Sequence, residues 1–138
     1  MQKTITKYII TYEKGLDDIV FDLTPWDRIF FSGDLGAGKS TYIRHILRKY
    51  LNNPTLIVRS PTYTYYQKYD SNIYHCDLYR LEEYSTWVSI GGEEIAQDPS
   101  SIMLIEWPEI LWDALQATKK ISIEVMEDGM RKIIITTL

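Results

Sequence analysis

The residues with the clearest chemical meaning form a glycine-rich stretch, residues 33–40, which reads Gly-Asp-Leu-Gly-Ala-Gly-Lys-Ser. Glycines let the backbone turn several N–H groups toward one anion, and the dipole of a following helix adds partial positive charge. In a P-loop of this pattern the lysine reaches the β- and γ-phosphates and the last hydroxyl binds Mg²⁺. These roles fall to Lys39 and Ser40. The stretch therefore predicts binding of a nucleoside triphosphate with Mg²⁺.

Two apolar stretches each end in an acidic residue that fits the other half of such a site. Ile-Tyr-His-Cys leads to Asp77, and Ile-Met-Leu-Ile leads to Glu106. The carboxyl ends of neighbouring parallel strands meet at the same crevice, and a P-loop site needs an acid there for its metal ion. We expect Asp77 in the magnesium shell with Ser40, directly or through water. Glu106 is expected either to bind the metal or to polarise the attacking water.

A segment rich in hydroxyl groups, residues 60–64, reads Ser-Pro-Thr-Tyr-Thr. Hydroxyls on a mobile loop beside a γ-phosphate bind the phosphate or its Mg²⁺ and release them on hydrolysis, as switch loops do. Threonine and tyrosine are also residues that β-strands prefer. From the residues alone, Thr62 and Thr64 are therefore either switch-loop hydroxyls or parts of a strand.

Three further side chains have both a chemical and a structural interpretation. Arg80, three residues after Asp77, either neutralises phosphate charge or pairs with an acid such as Glu82, and we favour the pairing. Trp107 either stacks on a nucleotide base or belongs to the core. His45 falls on the polar side of a predicted helix, so we expect it to be solvated rather than a ligand.

Apolar periodicity and turn residues place these side chains on alternating elements. Strands are predicted over residues 3–11, 27–32, 56–58, 63–69, 73–77, 102–106, 121–125 and 132–136. Helices are predicted over residues 13–23, 39–51, 82–88 and 93–97. This order predicts an α/β, P-loop NTPase-like three-layer fold with a mixed central sheet, flanking helices and a C-terminal β-hairpin. With 138 residues we expect one domain, residues 1–138.

Composition limits the partners of this chain. Fifteen Lys and Arg against nineteen Asp and Glu give a net charge of −4, and the basic residues are scattered. The chain therefore lacks the basic surface of an autonomous nucleic-acid binder, and any connection with RNA is expected to run through a partner. The single cysteine, Cys76, excludes an intrachain disulfide and a multi-cysteine zinc site. No apolar stretch has the length of a membrane span and the N-terminus lacks a signal peptide, so we expect no membrane association and a cytoplasmic location.

Four motifs, in this order along the chain, resemble the signatures of the TsaE family, also called YjeE. They occupy residues 33–41, 60–64, 75–81 and 104–108. The resemblance implies a small P-loop ATPase that assists the TsaB–TsaD pair in attaching a threonylcarbamoyl group to the tRNA adenosine beside the anticodon. It also implies weak Mg²⁺-dependent ATP hydrolysis that the partners stimulate, with tRNA bound only through TsaD and TsaB.

The resemblance also implies roles for individual residues. Nucleotide binding falls to Gly33, Asp34, Leu35, Gly36, Ala37, Gly38, Lys39, Ser40, Thr41 and Trp107. The metal shell consists of Ser40, Glu106 and Asp77, and the catalytic set of Lys39, Asp77, Glu106, Thr62 and Thr64. Within these sets Thr41 contacts the α-phosphate, and Trp107 lies at the nucleotide or partner surface.

The sequence departs from the family pattern in three places. Ser40 stands where the family commonly has threonine, which keeps a hydroxyl for the metal. Cys76 replaces a larger apolar residue. The helix before the P-loop strand is short, so contacts of that region with the base cannot be transferred.

Other P-loop proteins fit the sequence less well. A small-molecule kinase needs an arginine-rich lid and an acceptor pocket, which the sequence does not show. A GTPase needs an Asn-Lys-x-Asp motif, which does not occur. A nucleotide-gated assembly module with negligible turnover stays open as an alternative, because a P-loop alone serves either purpose.

Overall fold

A computed structural model describes residues 3–20 and 22–138. Its strands are β1 (Thr4–Ile10), β2 (Arg28–Ser32), β3 (Tyr66–Tyr69), β4 (Ile73–Asp77), β5 (Ile102–Glu106), β6 (Lys119–Val125) and β7 (Arg131–Thr137). Its α-helices are α1 (Lys39–Tyr50), α2 (Tyr84–Ser89) and α3 (Gly92–Gln97). Short 3₁₀ helices occupy Glu13–Asp18, Asp70–Asn72 and Pro108–Leu111. Within these residues, no helix is long and apolar enough to span a bilayer.

The strands form one mixed sheet in the order β1-β7-β6-β2-β5-β4-β3. The four central strands β6, β2, β5 and β4 are parallel, whereas β1, β7 and β3 run antiparallel to their neighbours. The predicted mixed sheet and the C-terminal hairpin, β6–β7, are therefore confirmed. β1 pairs along its full length with β7 instead of forming a hairpin with a nearby strand.

Two apolar clusters, one on each face of the sheet, produce three layers. On one face, Tyr42, Ile43 and Leu47 of α1 are buried against strand residues such as Phe31 and Leu104. The opposite face is covered by α2, α3 and the segment after β5, with Trp87 in its centre. All five residues of β5 are buried, because both of its faces are covered. The predicted three-layer arrangement is confirmed.

The predicted strand over residues 56–58 is wrong. The alternation is real, because Leu56 and Val58 pack against the core while Ile57 is exposed. However, the outer edge of β4 is already occupied by β3, so the segment does not enter the sheet. The Leu56 carbonyl instead accepts a hydrogen bond from Nε of Arg48 at 2.9 Å.

The first predicted helix is shorter than its apolar pattern suggests. In the described part of this segment a 3₁₀ helix forms over Glu13–Asp18, and Ile19 is already extended and buried. Gly15 within the segment weakens helical structure, and the β-branched pair at residues 19–20 favours extended backbone. Phe21 lies outside the described residues. The strand predicted over residues 63–69 begins only at Tyr66, because the preceding residues form a turn.

Candidate nucleotide-binding site

The P-loop connects β2 to α1 at the carboxyl end of the parallel strands. Gly33 has a φ of 150°, and a Cβ atom added there would lie 2.6 Å from the backbone oxygen of Ile123 in β6. Only glycine permits this close approach between the loop and the neighbouring strand. On the same side, Nε of Arg131 in β7 donates to the carbonyl of Ala37 at 3.0 Å. The β6–β7 hairpin therefore supports the loop from outside the motif.

Lys39 is the first residue of α1, and its side chain is 5% exposed. Its ammonium group donates to the carbonyl oxygens of Gly33 and Asp34, the latter at 3.2 Å, and lies 4.2 Å from the ring centroid of Trp107. Burial lowers the pKa of the Lys39 ammonium, although the negative charges of Glu106 and Asp77 oppose that shift. The lysine thus lies between the loop backbone and the two strand-end acids.

Glu106, 4% exposed, is the central acid of the site. Its Oε2 accepts a hydrogen bond from the hydroxyl of Ser40 at 2.8 Å and lies 2.6 Å from Nε2 of His75. The main-chain positions follow from the parallel register, in which Glu106 lies between Phe31 of β2 and Asp77 of β4. The predicted meeting of Ser40 and Glu106 is therefore present in the structure.

Asp77, 6% exposed, connects the sheet to the segment at residues 60–64. Its Oδ2 accepts from the hydroxyl of Ser60 at 2.9 Å and lies 3.4 Å from Oγ1 of Thr62. Its Oδ1 accepts from the backbone N–H of Tyr79 at 3.1 Å. The acid thus holds the hydroxyl-rich segment against the site, while the side chain of Thr64 is exposed and outside the cleft.

The hydroxyl and carboxylate oxygens at this place fit Mg²⁺. Mg²⁺ prefers hard oxygen ligands and is held by one or two carboxylates together with substrate phosphates and water. Glu106 and Asp77 supply two carboxylates and Ser40 supplies a hydroxyl, so the ligands are oxygen atoms and none is sulfur. Among residues 3–20 and 22–138, no cluster of three His, Cys, Asp or Glu forms an all-protein metal site. The arrangement therefore suits a metal that arrives with a phosphate.

These side chains line a cleft of about 440 Å³ beside the P-loop. The predicted site residues that line it are Leu35, Gly36, Gly38, Lys39, Ser40, Thr41, Thr62, Asp77, Glu106 and Trp107. Gly33, Asp34 and Ala37 belong to the loop but do not face the cleft. The cleft also contains Ser60, Tyr79 and Arg80. The structure therefore brings most of the predicted set together.

The aromatic residues at the rim of the cleft decide between the alternative roles given above for Trp107 and for Arg80. Trp107 is half-buried, has a φ of 56°, and lies 4.9 Å from the ring of Tyr79, so it lines the cleft rather than the core. The guanidinium of Arg80 lies 4.8 Å from the ring centroid of Tyr63. The favoured ion pair of Arg80 with Glu82 is wrong, because the arginine lies at the cleft mouth instead.

Two histidines have positions that the sequence interpretation missed. The ring of His45 is 14% exposed and lies between Asp17 and Glu13, at 2.6 and 3.1 Å, so the expectation of a solvated residue is wrong. His75 is fully buried and contacts Glu106. The sequence could have indicated this position of His75, because His75 and Asp77 lie two residues apart on one strand and so share a face.

A second hollow, of about 270 Å³, lies on the other side of the P-loop. Gly36, Gly38 and Thr41 line both hollows. The remaining walls come from the segment after β1, including Tyr12 and Glu13, and from the β6–β7 hairpin, including Arg131. The loop therefore separates two adjoining spaces that share the start of α1.

The sequence matches the family described as "Threonylcarbamoyl adenosine biosynthesis protein TsaE" over residues 10–133. The chain belongs to the TsaE family. Among proteins named "tRNA threonylcarbamoyladenosine biosynthesis protein TsaE", the one from Rickettsia felis is 35% identical over 119 residues, covering 83% of this chain and 68% of its own length. The TsaE of Borreliella burgdorferi is 36% identical over 75% of this chain and 74% of its own length. The TsaE of Bacillus subtilis is 32% identical over 83% of this chain and 72% of its own length.

A solved structure shares the fold of this TsaE chain. The crystal structure of Bacillus subtilis YdiB superimposes with a TM-score of 0.74 at 24% identity, covering 99% of this chain and 88% of that one. This similarity confirms the predicted α/β, P-loop NTPase-like fold. The TsaE family assignment confirms the resemblance of the four motifs.

Proposed function

We propose that this chain hydrolyses ATP with Mg²⁺ and that the hydrolysis serves threonylcarbamoyladenosine formation in tRNA, together with TsaB and TsaD. One observation carries the proposal. The Ser40 hydroxyl contacts Glu106 at 2.8 Å beside the P-loop lysine, in a chain of the TsaE family. The relatives quoted above are named as tRNA threonylcarbamoyladenosine biosynthesis proteins, and we extend that process to this chain.

Phosphate binding is assigned to Lys39 and the P-loop. The Lys39 ammonium donates to the neutral carbonyl oxygens of Gly33 and Asp34. Charged phosphate oxygens are stronger acceptors than neutral carbonyls, so the lysine gains by turning toward them. The start of α1 adds the partial positive charge of a helix N-terminus at the same point. These groups bind the β- and γ-phosphates.

The metal shell is assigned to Ser40, Glu106 and Asp77. Mg²⁺ supplies positive charge that neutralises the phosphate oxygens during phosphoryl transfer. Ser40 and Glu106 are already within hydrogen-bond distance of each other, and Asp77 lies opposite Glu106 in the register of β4 and β5. The second role of Glu106 is to orient and polarise the attacking water, which suits a carboxylate that the sheet holds rigidly.

The segment at residues 60–64 is assigned the role of a nucleotide-sensitive loop. Its contacts with the core of the site are the hydroxyls of Ser60 and Thr62, both on Asp77. A change in the charge around Asp77 on binding or hydrolysis is therefore transmitted to the loop. Thr64 is exposed and lies outside the cleft, so we assign no catalytic contact to it.

The base of the nucleotide is assigned to the hollow between the P-loop and residues such as Tyr12 and Arg131. Thr41 lines this hollow and also the cleft that holds Lys39. A nucleotide that has its γ-phosphate at Glu106 and its α-phosphate at Thr41 extends toward the second hollow. Trp107 lies on the opposite side, against Lys39, and we assign it to the phosphate end or to a partner surface.

The partners follow from the family and from the charge of the chain. A net charge of −4 with scattered basic residues does not favour independent binding to tRNA. We therefore place the tRNA on TsaD and TsaB and the ATPase on this chain. The complex is expected in the cytoplasm.

The experiment that tests the proposal measures phosphate release from ATP by this chain, with and without TsaB and TsaD. We expect weak release alone and at least tenfold stimulation by the partners. Lys39→Ala should abolish both, because the ammonium that binds phosphate is removed. Lys49→Ala is the matched control, since Lys49 lies at the other end of α1 and donates to the carbonyl of Asp17. Undiminished tRNA modification with the Lys39→Ala variant would contradict the proposal.

The same experiment separates the two remaining alternatives. Phosphate transfer to an added small-molecule acceptor, with no effect of TsaB and TsaD, would indicate a kinase. Nucleotide-dependent assembly with TsaB and TsaD but without phosphate release would indicate a gated assembly module.

A further inference from the structure

His75 is a histidine that the proposed roles leave unused. It lies in β4, is 0% exposed, and shares a face of the sheet with Ile73 and Asp77. Ile73 belongs to the apolar cluster beneath α1, so His75 lies between that cluster and the catalytic edge. A buried imidazole at this point needs a polar partner.

The contact that His75 makes is specific. Its Nε2 lies 2.6 Å from Oε2 of Glu106, the oxygen that also accepts from Ser40. Nδ1 is buried and has no hydrogen-bond partner among the described residues. Because Glu106 is the single hydrogen-bond partner of the ring within the described residues, the cost of burying the imidazole is offset at that contact.

The contacts of Ser40 and His75 leave the carboxylate of Glu106 asymmetric. Oε2 receives both the Ser40 hydroxyl and the His75 ring. Within residues 3–20 and 22–138, no donor is within hydrogen-bond distance of Oε1. His75 therefore restrains Oε2 of Glu106 and leaves Oε1 available to contact a metal ion or a water molecule.

We propose that His75 is a positioning residue for the reaction, which fixes Glu106 by donating Nε2–H to Oε2 so that Oε1 faces the metal or the attacking water. This inference rests on the proposed ATPase function. Hydrogen-bond partners of metal-binding and catalytic carboxylates commonly change affinity or activity by about 10- to 100-fold when they are removed. His75 acts on substrate only through Glu106.

Two substitutions separate the hydrogen bond from the packing. In His75→Gln the side-chain amide nitrogen stands as many bonds from Cβ as Nε2 does, so the donor is kept. In His75→Leu the volume is similar but the donor is lost. We expect the leucine variant to lower kcat about 10- to 100-fold, with the KM for ATP nearly unchanged, and the glutamine variant to restore most of the loss.

Cys76→Ala is the control for stability. Cys76 is also fully buried in β4, but it packs in the cluster on the opposite face of the sheet. Removing the Cys76 thiol should lower the melting temperature without changing the contacts of Glu106. Equal losses of kcat in Cys76→Ala and His75→Leu at matched melting temperatures would show that His75 is only structural and would overturn the proposal.

A double-mutant comparison tests whether the effect passes through Glu106. If His75 acts only on that carboxylate, His75→Leu combined with Glu106→Ala should be no slower than Glu106→Ala alone. Multiplicative losses in the double variant would overturn the inference. A wild-type chain that releases no phosphate even with TsaB and TsaD would instead refute the proposed function.

An NMR measurement decides the positioning contact without any activity. A long-range ¹H–¹⁵N spectrum of the full chain, without nucleotide or metal, reports which ring nitrogens carry protons. The chain has two histidines, so the spectrum of His75→Leu assigns the signals. We expect a hydrogen-bonded proton on Nε2 of His75, and a ring protonated on Nδ1 alone would overturn the proposal.

Discussion

Replacing Gly33 by alanine tests whether the β6–β7 hairpin supports the P-loop. The residue has a φ of 150°, and an added Cβ would lie 2.6 Å from the backbone oxygen of Ile123. Backbone strain of this kind costs about 1–3 kcal/mol, and the loop or β6 must also move to relieve the contact. We therefore expect the free energy of unfolding to fall by about 3 kcal/mol, which lowers the melting temperature of a chain this size by about 10 °C.

The control is Gly129→Ala in the turn between β6 and β7. Gly129 also has positive φ, 83°, but an added Cβ there has no neighbour within 4 Å. Only the conformational cost of about 1 kcal/mol remains, so the melting temperature should fall by about 3 °C. Thermal unfolding followed by circular dichroism measures both variants. Equal losses would refute the argument that close packing against Ile123 requires glycine.

The Gly33 substitution should also weaken nucleotide binding, because the carbonyl of Gly33 accepts a hydrogen bond from Lys39. Titration with a fluorescent ATP analogue, at a temperature at which both variants are folded, reads this out. Unchanged affinity in Gly33→Ala would show that the loop tolerates displacement from β6.

Three further substitutions test the site and its scaffold. Glu106→Gln should keep nucleotide affinity within a few-fold while turnover falls at least about 100-fold, and equal losses of both would indicate a role in metal binding alone. Burial raises the pKa of Asp27, but hydrogen bonds from Thr24, Lys119 and Thr118 outweigh this effect and hold the pKa below its usual value. The stability that Asp27 contributes is therefore present above about pH 4 and is lost as pH falls through the lowered pKa. The free energy of unfolding of Asp27→Asn, measured in urea, should therefore depend less on acid pH than that of the wild type. Arg28→Met removes a buried guanidinium that donates to the carbonyls of Asp27, Ala96, Asp98 and Ser101, and it should lower the free energy of unfolding by about 2–4 kcal/mol in urea titrations.

The chemistry at the centre of the site was predictable from local sequence. Lys39 and Ser40 have fixed positions within a P-loop, because the loop and the first turn of α1 are one continuous segment. Asp77 and Glu106 end apolar runs, and the limits of β4 and β5 agree with those runs. Once two strands are parallel neighbours, their last side chains are adjacent, so periodicity alone places both acids at one edge.

Other parts of the site depend on contacts between distant segments, which periodicity does not report. Thr62 and Thr64 look equivalent in sequence, but a turn places one at the cleft and exposes the other. The alternation in 56–58 is that of a strand, yet the edge it needed is occupied by β3. His75 looks like a polar interruption of an apolar strand, and its partner Glu106 is identified only when β4 and β5 are aligned.

The pairing of β1 with β7 has a consequence for synthesis on the ribosome. Within the described residues, β1 pairs in the sheet only with β7, the strand that lies furthest from it along the sequence, from Thr4 opposite Thr137 to Ile10 opposite Arg131. Contacts between segments so far apart along the chain form late, because closing the intervening loop costs entropy before the pairing repays it. During synthesis β1 therefore has no strand partner until β7 has been made. The P-loop likewise lacks its support from the hairpin until β6 and β7 have been made, since Gly33 packs against Ile123 and Arg131 donates a hydrogen bond to the Ala37 carbonyl.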